Sequence, residues 1–143
     1  MNLESLSIRS ARESDGSDLF PLVVEFATSF VPERGFFEGA FRRVLADPNA
    51  CLLVAELDHK VIGYLLGFDH FTFFANGPAS WVEELAVTAS LRRNGVGRAL
   101  MARFERWAIS RGSRLIALAT RRAAAFYSAL GYEESASYFR RLL

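Results

Sequence analysis

The chain has 143 residues, 51% of them hydrophobic, and 13 phenylalanines, so we expect one globular domain over residues 1–143 rather than a disordered chain. Its apolar runs fall short of the roughly 20 residues of a membrane span, and a pI near 7.9 gives nucleic-acid binding little support. One cysteine excludes an internal disulfide, and Met1–Ser5 lacks the features of a secretion signal, so we expect a cytoplasmic protein.

The first half of the chain predicts a strand, two amphipathic helices and a β-hairpin. The first helix is expected to carry Leu19, Val23, Phe26 and Phe30 on one face, with Pro21 in its first turn. The predicted elements are a strand at Leu6–Arg9, a helix that Asp15, Gly16 or Ser17 caps, a helix over Gly35–Ala46, and strands Cys51–Leu57 and Val61–Phe68 around a turn at Asp58-His59-Lys60.

The segment from 69 to 78 is rich in phenylalanine and ends in an evident turn. Phe71, Phe73 and Phe74 could line a pocket, form a homodimer patch, or pack in the core, and the sequence does not decide among these hypotheses.

The second half alternates strands and helices, which predicts a mixed α/β sheet with helices on both faces. Gly112 and Gly131 are fitting ends for its two helices. The predicted elements are a strand at Trp81–Val87, a helix over Gly95–Arg111, a strand at Leu115–Ala119, a helix over Arg121–Leu130, and one or two short strands within Tyr132–Leu142.

The loop between Trp81–Val87 and the next helix carries Arg-x-x-Gly-x-Gly, from Arg92 to Gly97. Glycines allow close approach of the backbone, and a helix start offers unpaired N–H groups and a positive dipole end, so we expect a phosphate or diphosphate here. A dinucleotide-binding turn would need a small residue near Leu100. A P-loop would need Gly-Lys-Ser/Thr, and the chain's one lysine is the distant Lys60.

The remaining interpretation rests on two motifs. Glu83, Leu85, Val87, Arg92, Gly95 and Gly97 match, in order and spacing, the acyl-CoA-binding signature of the GNAT superfamily of N-acetyltransferases. Ala123 to Tyr132 resembles the penultimate helix of that family, Ala-x-x-(apolar)-Tyr-x-x-x-Gly-(aromatic). The resemblance implies a GNAT-like fold and transfer of acetyl from acetyl-CoA to a primary amine of a small molecule or peptide, by direct attack in a ternary complex.

The resemblance also implies which residues bind acetyl-CoA. They lie at the end of one strand, in the loop, at the helix start and near the second motif: Leu85, Ala86, Val87, Arg92, Arg93, Asn94, Gly95, Val96, Gly97, Arg98, Thr120, Ala123 and Tyr127. Three positions depart from the frequent pattern: Thr120 stands for an asparagine that contacts pantetheine, Ala89 for a proline, and Arg93 for a glycine.

Catalysis would involve two carboxylates and a phenol. A protonated amine must lose a proton before it attacks a thioester, and Glu83 and Glu84 lie side by side on an apolar strand. Alternation sends them to opposite faces unless a bulge intervenes, and the family's strand usually has one. By resemblance, Glu83 falls at the frequent base position, Glu84 contacts the amine, and Tyr127 protonates the CoA sulfur. Each glutamate could instead pair with an arginine, and Tyr127 could be a core residue.

The charge distribution fits an anionic cosubstrate and a cationic acceptor. Residues 1–91 carry 6 basic and 13 acidic side chains, whereas residues 92–122 carry 9 arginines and one acidic residue, Glu105.

His59, His70 and Cys51 give no support to a metal site or a covalent acyl-enzyme, and Cys51 is expected to be a core residue. Two alternatives stay open: a non-catalytic CoA-binding sensor or assembly protein of this fold, and a transferase for another acyl-CoA.

Overall fold

The computed structural model describes residues 3–143, which form a mixed sheet packed between helices. The sheet has the order β1-β2-β3-β4-β5, with antiparallel neighbours except for the parallel pair β4 and β5. Its strands are β1 Ser7–Ser10, β2 Ala50–Leu57, β3 Lys60–Phe71, β4 Pro78–Val87 and β5 Leu115–Leu118. The predicted fold class, a mixed sheet with helices on both faces, is therefore confirmed.

In the described residues, four α-helices cover the sheet, and two short 3₁₀ helices lie at Glu13–Asp15 and Ala89–Leu91. The α-helices are α1 Gly16–Phe26, α2 Arg34–Ala46, α3 Val96–Ser110 and α4 Ala124–Ala129. Helices α1 and α2 pack on one face, around Leu19, Leu22, Phe41 and Tyr64. Helix α3 packs on the other face, and the described residues include no helix long and apolar enough to cross a membrane.

The hairpin between β2 and β3 turns where the sequence predicts it. Asp58 and His59 both have positive φ, of 51° and 64°, which is the backbone of a two-residue type I′ turn. The register shifts by one residue between Glu56 and Ala55, and beyond this shift Val54 pairs with Tyr64 and Leu52 with Leu66. Tyr64 and Leu66 therefore share the face of the sheet that α1 and α2 cover.

Strands β3 and β4 contain a bulge at the centre of the sheet. The register changes between Leu66, which pairs with Glu84, and Gly67, which pairs with Val82. A Cβ atom on Gly67 would lie 2.8 Å from the carbonyl oxygen of Trp81 and would also overlap the ring of the fully buried Phe104. The missing side chain thus lets α3 lie directly against the sheet at the bulge.

We expect Gly67→Ala to lower the free energy of unfolding by about 2 kcal/mol, because a methyl group there forces a well-packed ring to move. Urea denaturation measures this loss. Gly39→Ala is the control, since a Cβ on Gly39 meets nothing within 4 Å. A Gly67→Ala variant as stable as the natural protein would show that the approach of Phe104 is not constrained.

The structure differs from the prediction in helix α1. The chain leaves the helix at Ala27, which is extended, so Phe30 cannot share a helical face with Leu19 and is 69% exposed. Pro21 is the sixth residue of the helix rather than a first-turn residue. Helix α4 is shorter than predicted, and β3 and β4 are each three residues longer towards the turn that joins them.

The final strands predicted within Tyr132–Leu142 do not form in the described part of the chain. The amide of Tyr132 instead donates to Tyr127 O and closes the end of α4, where Gly131 has φ +94°. The next residues, Glu133-Glu134-Ser135-Ala136-Ser137, are polar or small and have low strand propensity, and no strand pairs with them.

The phenylalanines of the segment 69–78 are on the surface. Phe71, Phe73 and Phe74 are 88%, 105% and 79% exposed, which rules out core packing for them. None of the three lines the cavity that lies between α1, α2 and the sheet. A homodimer patch therefore remains a prediction for this segment.

Candidate active site

Strands β4 and β5 part halfway along β4. Their parallel pairing runs from Ala79 and Leu115 to Val82 and Leu118, where β5 ends. Strand β4 continues to Val87, paired only with β3. Within residues 3–143, the other edge of β4 from Glu83 onward therefore has no strand partner, and its backbone groups can bind an extended ligand that carries amides.

The bulge of β4 separates the two glutamates. Glu83 is the extra residue between Val82 and Glu84, and it is exposed. Glu84 lies opposite Leu66 and is half-buried on the face that α1 and α2 cover. The two carboxylates therefore differ sharply in environment, although they are adjacent in the sequence.

Glu84 has a specific partner. The hydroxyl of Tyr64 donates to Glu84 Oε1 at 2.7 Å. Burial raises the pKa of Glu84, the charge of Glu83 raises it further, and the Tyr64 hydrogen bond partly offsets the rise. In the described part of the chain, no side chain donates to Oε2, so this oxygen can accept a proton or a hydrogen bond from a ligand.

A cavity of about 220 Å³ lies between α1, α2 and the sheet, with Glu84 in its wall. Its aromatic side includes Phe37 and Phe41, whose rings stack with centroids 5.6 Å apart. The lining residues are Leu19, Val23, Pro32, Glu33, Phe36, Phe37, Ala40, Phe41, Val44, Leu52, Tyr64, Leu66 and Glu84.

The start of α3 offers unpaired amides. Gly95 has φ +84°, and its carbonyl accepts the first helical hydrogen bond, from the amide of Ala99 at 3.0 Å. The amides of Val96, Gly97 and Arg98 precede this bond and have no acceptor within the helix. Helix α3 is 15 residues long, so its dipole adds positive potential at the same point.

The side chains of the loop are exposed and partly tied to the protein. Arg92 donates to Val87 O at 3.3 Å and to Glu25 Oε1 at 3.2 Å, which links the loop to β4 and to α1. Asn94 donates to Arg92 O at 3.0 Å, and Arg93 adopts φ +66°. Arg93 and Arg98 are exposed beside the helix start, where they add to its positive charge.

The second glycine of the loop has a packing role. A Cβ on Gly97 would lie 3.2 Å from Phe126 Cζ, so this glycine lets α4 approach the start of α3. Phe126 in turn contacts Tyr127 edge to face, with ring centroids 4.9 Å apart.

Tyr127 is half-buried, and burial raises its pKa, so its phenol stays protonated at neutral pH. Its hydroxyl makes no hydrogen bond to any residue from 3 to 143. The hydroxyl oxygen of Thr120 accepts the amide of Ala123 at 3.0 Å and so holds the turn before α4. The structure thus brings the second sequence motif against the loop of the first.

The family model for "Acetyltransferase (GNAT) family" matches residues 17–132. The chain belongs to this family. No curated protein sequence matches it significantly. Among solved structures, a glucosamine-6-phosphate N-acetyltransferase from Arabidopsis thaliana is 18% identical, with 97% of this chain and 99% of that one covered and a TM-score of 0.86.

Two other solved structures cover 96% of this GNAT chain and 99% of their own. AAC(6')-Iy, in complex with a bisubstrate analogue of CoA and acetylneamine, is 20% identical with a TM-score of 0.80. A transcriptional regulator from Bacillus halodurans is 22% identical with a TM-score of 0.86. At these identities the likeness shows the fold alone.

Sequence analysis of this GNAT protein missed Tyr64. Tyr64 is 20 residues from Glu84 and meets it only through strand pairing. The alternation of Tyr64 and Leu66 in β3 was the available signal, but the bulge hides which glutamate faces them.

Cys51 is buried, and burial raises its pKa to about 11, so the prediction of a core residue is confirmed. The described residues contain no cluster suited to a metal ion.

Proposed function

We propose that this protein transfers the acetyl group of acetyl-CoA to a primary amine, by direct attack of the amine on the thioester. The observation that carries the proposal is the point where β4 leaves β5. Beyond this point β4 has one edge without a strand partner, it carries the half-buried Glu84 in a cavity wall, and the chain then leads to the free amides at the start of α3.

The residues fit acetyl-CoA, which supplies an activated acetyl thioester. The free edge of β4 over Leu85, Ala86 and Val87 would pair with the amides of pantetheine. The diphosphate would bind the amides of Val96, Gly97 and Arg98, with Arg92, Arg93, Asn94 and Gly95 forming the surrounding loop. Thr120, Ala123 and Tyr127 would border the arm from the side of α4.

The chemistry requires the bound ammonium to lose two protons, one before it attacks the thioester and one after the attack, and it requires one proton to reach the sulfur. We assign the first transfer to Glu84, directly or through one water, since it faces the cavity and has a free oxygen. As the C–N bond forms and the C–S bond breaks, Tyr127 would donate its proton to the leaving thiolate, and its phenolate would regain a proton from the nitrogen, directly or through water. CoA then leaves as the thiol, and the proton on Glu84 passes to solvent. The exposed Glu83 would contribute negative charge near the amine.

The names of two similar structures support a small-molecule acceptor. One is a glucosamine-6-phosphate acetyltransferase, and the other was solved with an acetylneamine analogue. We therefore place small amines before peptides in the order of testing.

Calorimetric titration with acetyl-CoA, CoA and NAD, followed by thiol release against a panel of amines, tests the proposal. Binding of both CoA species but not NAD, with amine-dependent thiol release, is the expected result. CoA binding without release would favour the sensor hypothesis, and faster release from another acyl-CoA would replace the acetyl donor. No CoA binding by the folded protein would overturn the proposal.

We expect Tyr127→Phe to lower kcat by about 100-fold while the Kd for acetyl-CoA stays within about threefold, since only the acid is lost. Stopped-flow thiol release under rate-limiting chemistry measures the change. Tyr132→Phe is the control: its hydroxyl donates to Glu105 at 2.7 Å, so we expect about 1 kcal/mol lower stability with unchanged kcat. Normal turnover of Tyr127→Phe would assign the proton to water or another residue.

A further inference from the structure

The cavity beside Glu84 is apolar over most of its wall. Ten of its thirteen lining residues are apolar, and the other three are Glu33, Tyr64 and Glu84. Among residues 3–143, no lysine, arginine or histidine lines it. The wall therefore offers negative charge and apolar surface, and it offers no positive charge to a phosphate.

The polar groups of the cavity are nearly all acceptors. The hydroxyl of Tyr64 already donates its hydrogen bond to Glu84 Oε1. The acceptors that remain for a ligand are therefore Glu84 Oε2 and the exposed carboxylate of Glu33. An ammonium group can donate to these oxygens. The hydroxyls of a sugar or an aminoglycoside would meet Phe37, Phe41 and other carbon surface, where unpartnered polar groups weaken binding.

The size of the cavity points the same way. Its volume of about 220 Å³ is below the range of about 300–1,000 Å³ that is usual for drug-sized ligands. A single ring with a short chain fits such a space, whereas the several rings of an aminoglycoside would extend out of it into solvent.

We propose that the acceptor is a small primary amine with an apolar body, of the size of 2-phenylethylamine. Its amino group would lie at Glu84 and its body against Phe37, Phe41 and Leu66. This inference rests on the proposed function for its turnover, but its binding step can be tested separately.

A homologous series of alkylamines measures the apolar contribution. From ethylamine to pentylamine, we expect kcat/KM to rise about three- to fourfold with each added methylene, because each buries more apolar surface. The series should level off when the cavity is full. Amino-ethers of equal length are the polar controls, and we expect no comparable rise. 2-Phenylethylamine is expected to exceed kanamycin and glucosamine 6-phosphate by at least about tenfold.

Two substitutions on α2 distinguish the effect of filling the cavity from the effect of adding a side chain elsewhere on the helix. Ala40 lines the cavity, so Ala40→Leu should fill it and lower kcat/KM for 2-phenylethylamine by about tenfold or more, with an unchanged Kd for acetyl-CoA. Gly39→Leu is the matched control, because a Cβ there meets nothing within 4 Å. Thermal unfolding of both variants confirms that they are folded.

Calorimetric titration of 2-phenylethylamine into the CoA-bound protein distinguishes failure of this inference from failure of the proposed function. Binding that Ala40→Leu abolishes supports the inference, and if thiol is never released, only the proposed function fails. A flat alkylamine series, or preferred turnover of kanamycin, glucosamine 6-phosphate or a tetrapeptide that begins with phenylalanine, would overturn the inference and leave acetyl transfer intact.

Discussion

A Gly95→Glu variant is expected to bind acetyl-CoA about 100-fold more weakly than the natural protein. The substitution acts at the N-terminal end of α3, where Gly95 has φ +84° and a Cβ would project into open space. The new carboxylate would occupy the positive helix start that we assign to the diphosphate. It would also strain the left-handed backbone that orients the amides. Each tenfold loss of affinity corresponds to about 1.4 kcal/mol of binding free energy, and the two tenfold steps predicted here can arise from repulsion and strain together.

Gly112→Glu is the matched control for this experiment. Gly112 follows the other end of α3, has φ +82°, and has equally open space around its Cβ position. The backbone strain and the added charge are therefore the same, but the site is remote from the loop. Calorimetric titration of acetyl-CoA compares the variants. Unchanged affinity in Gly95→Glu, or an equal loss in Gly112→Glu, would contradict the assignment of the diphosphate site.

The loop and the end of β4 could be predicted from the sequence because their residues are contiguous. The spacing of Arg92, Gly95 and Gly97 determines the local backbone, and a helix start has the same free amides in any fold. The bulge could be expected only from the resemblance. Its exact register depends on Gly67, which is on another strand, and on the ring of Phe104 from α3.

The cavity could not be predicted, since its wall is assembled from five parts of the chain: α1, α2 with the residues before it, β2, β3 and β4. Phe37 and Phe41 follow a helical spacing that a core helix would also show, and nothing local indicates that space is left between α2 and the sheet. The wrong prediction of final strands within Tyr132–Leu142 has the same cause, because it also depended on parts of the chain that are distant in sequence. The residues directly after Tyr132 have low strand propensity, and a strand forms only where a partner edge receives it, which the local sequence does not show.

Glu84→Gln is expected to lower kcat/KM for the amine by about 100- to 1,000-fold, with the Kd for acetyl-CoA unchanged. A glutamine has the shape of the half-buried glutamate and can still accept from Tyr64, but it cannot take the proton of the amine. The exposed Glu83 provides the counterpart, because Glu83→Gln removes an adjacent carboxylate outside the cavity wall. We expect a loss of less than about fivefold for Glu83→Gln. A larger loss of kcat/KM in Glu83→Gln than in Glu84→Gln would make Glu83 the base.

The pH dependence gives a second readout for Glu84. A base acts when deprotonated, so kcat/KM should rise with pH through the pKa of Glu84, which burial raises above its usual range. This low-pH limb should disappear in Glu84→Gln. Because the Tyr64 hydrogen bond lowers the pKa of Glu84, Tyr64→Phe should move the limb to higher pH without removing it. A purely structural role for Glu84 would leave the limb in the same place in all three proteins.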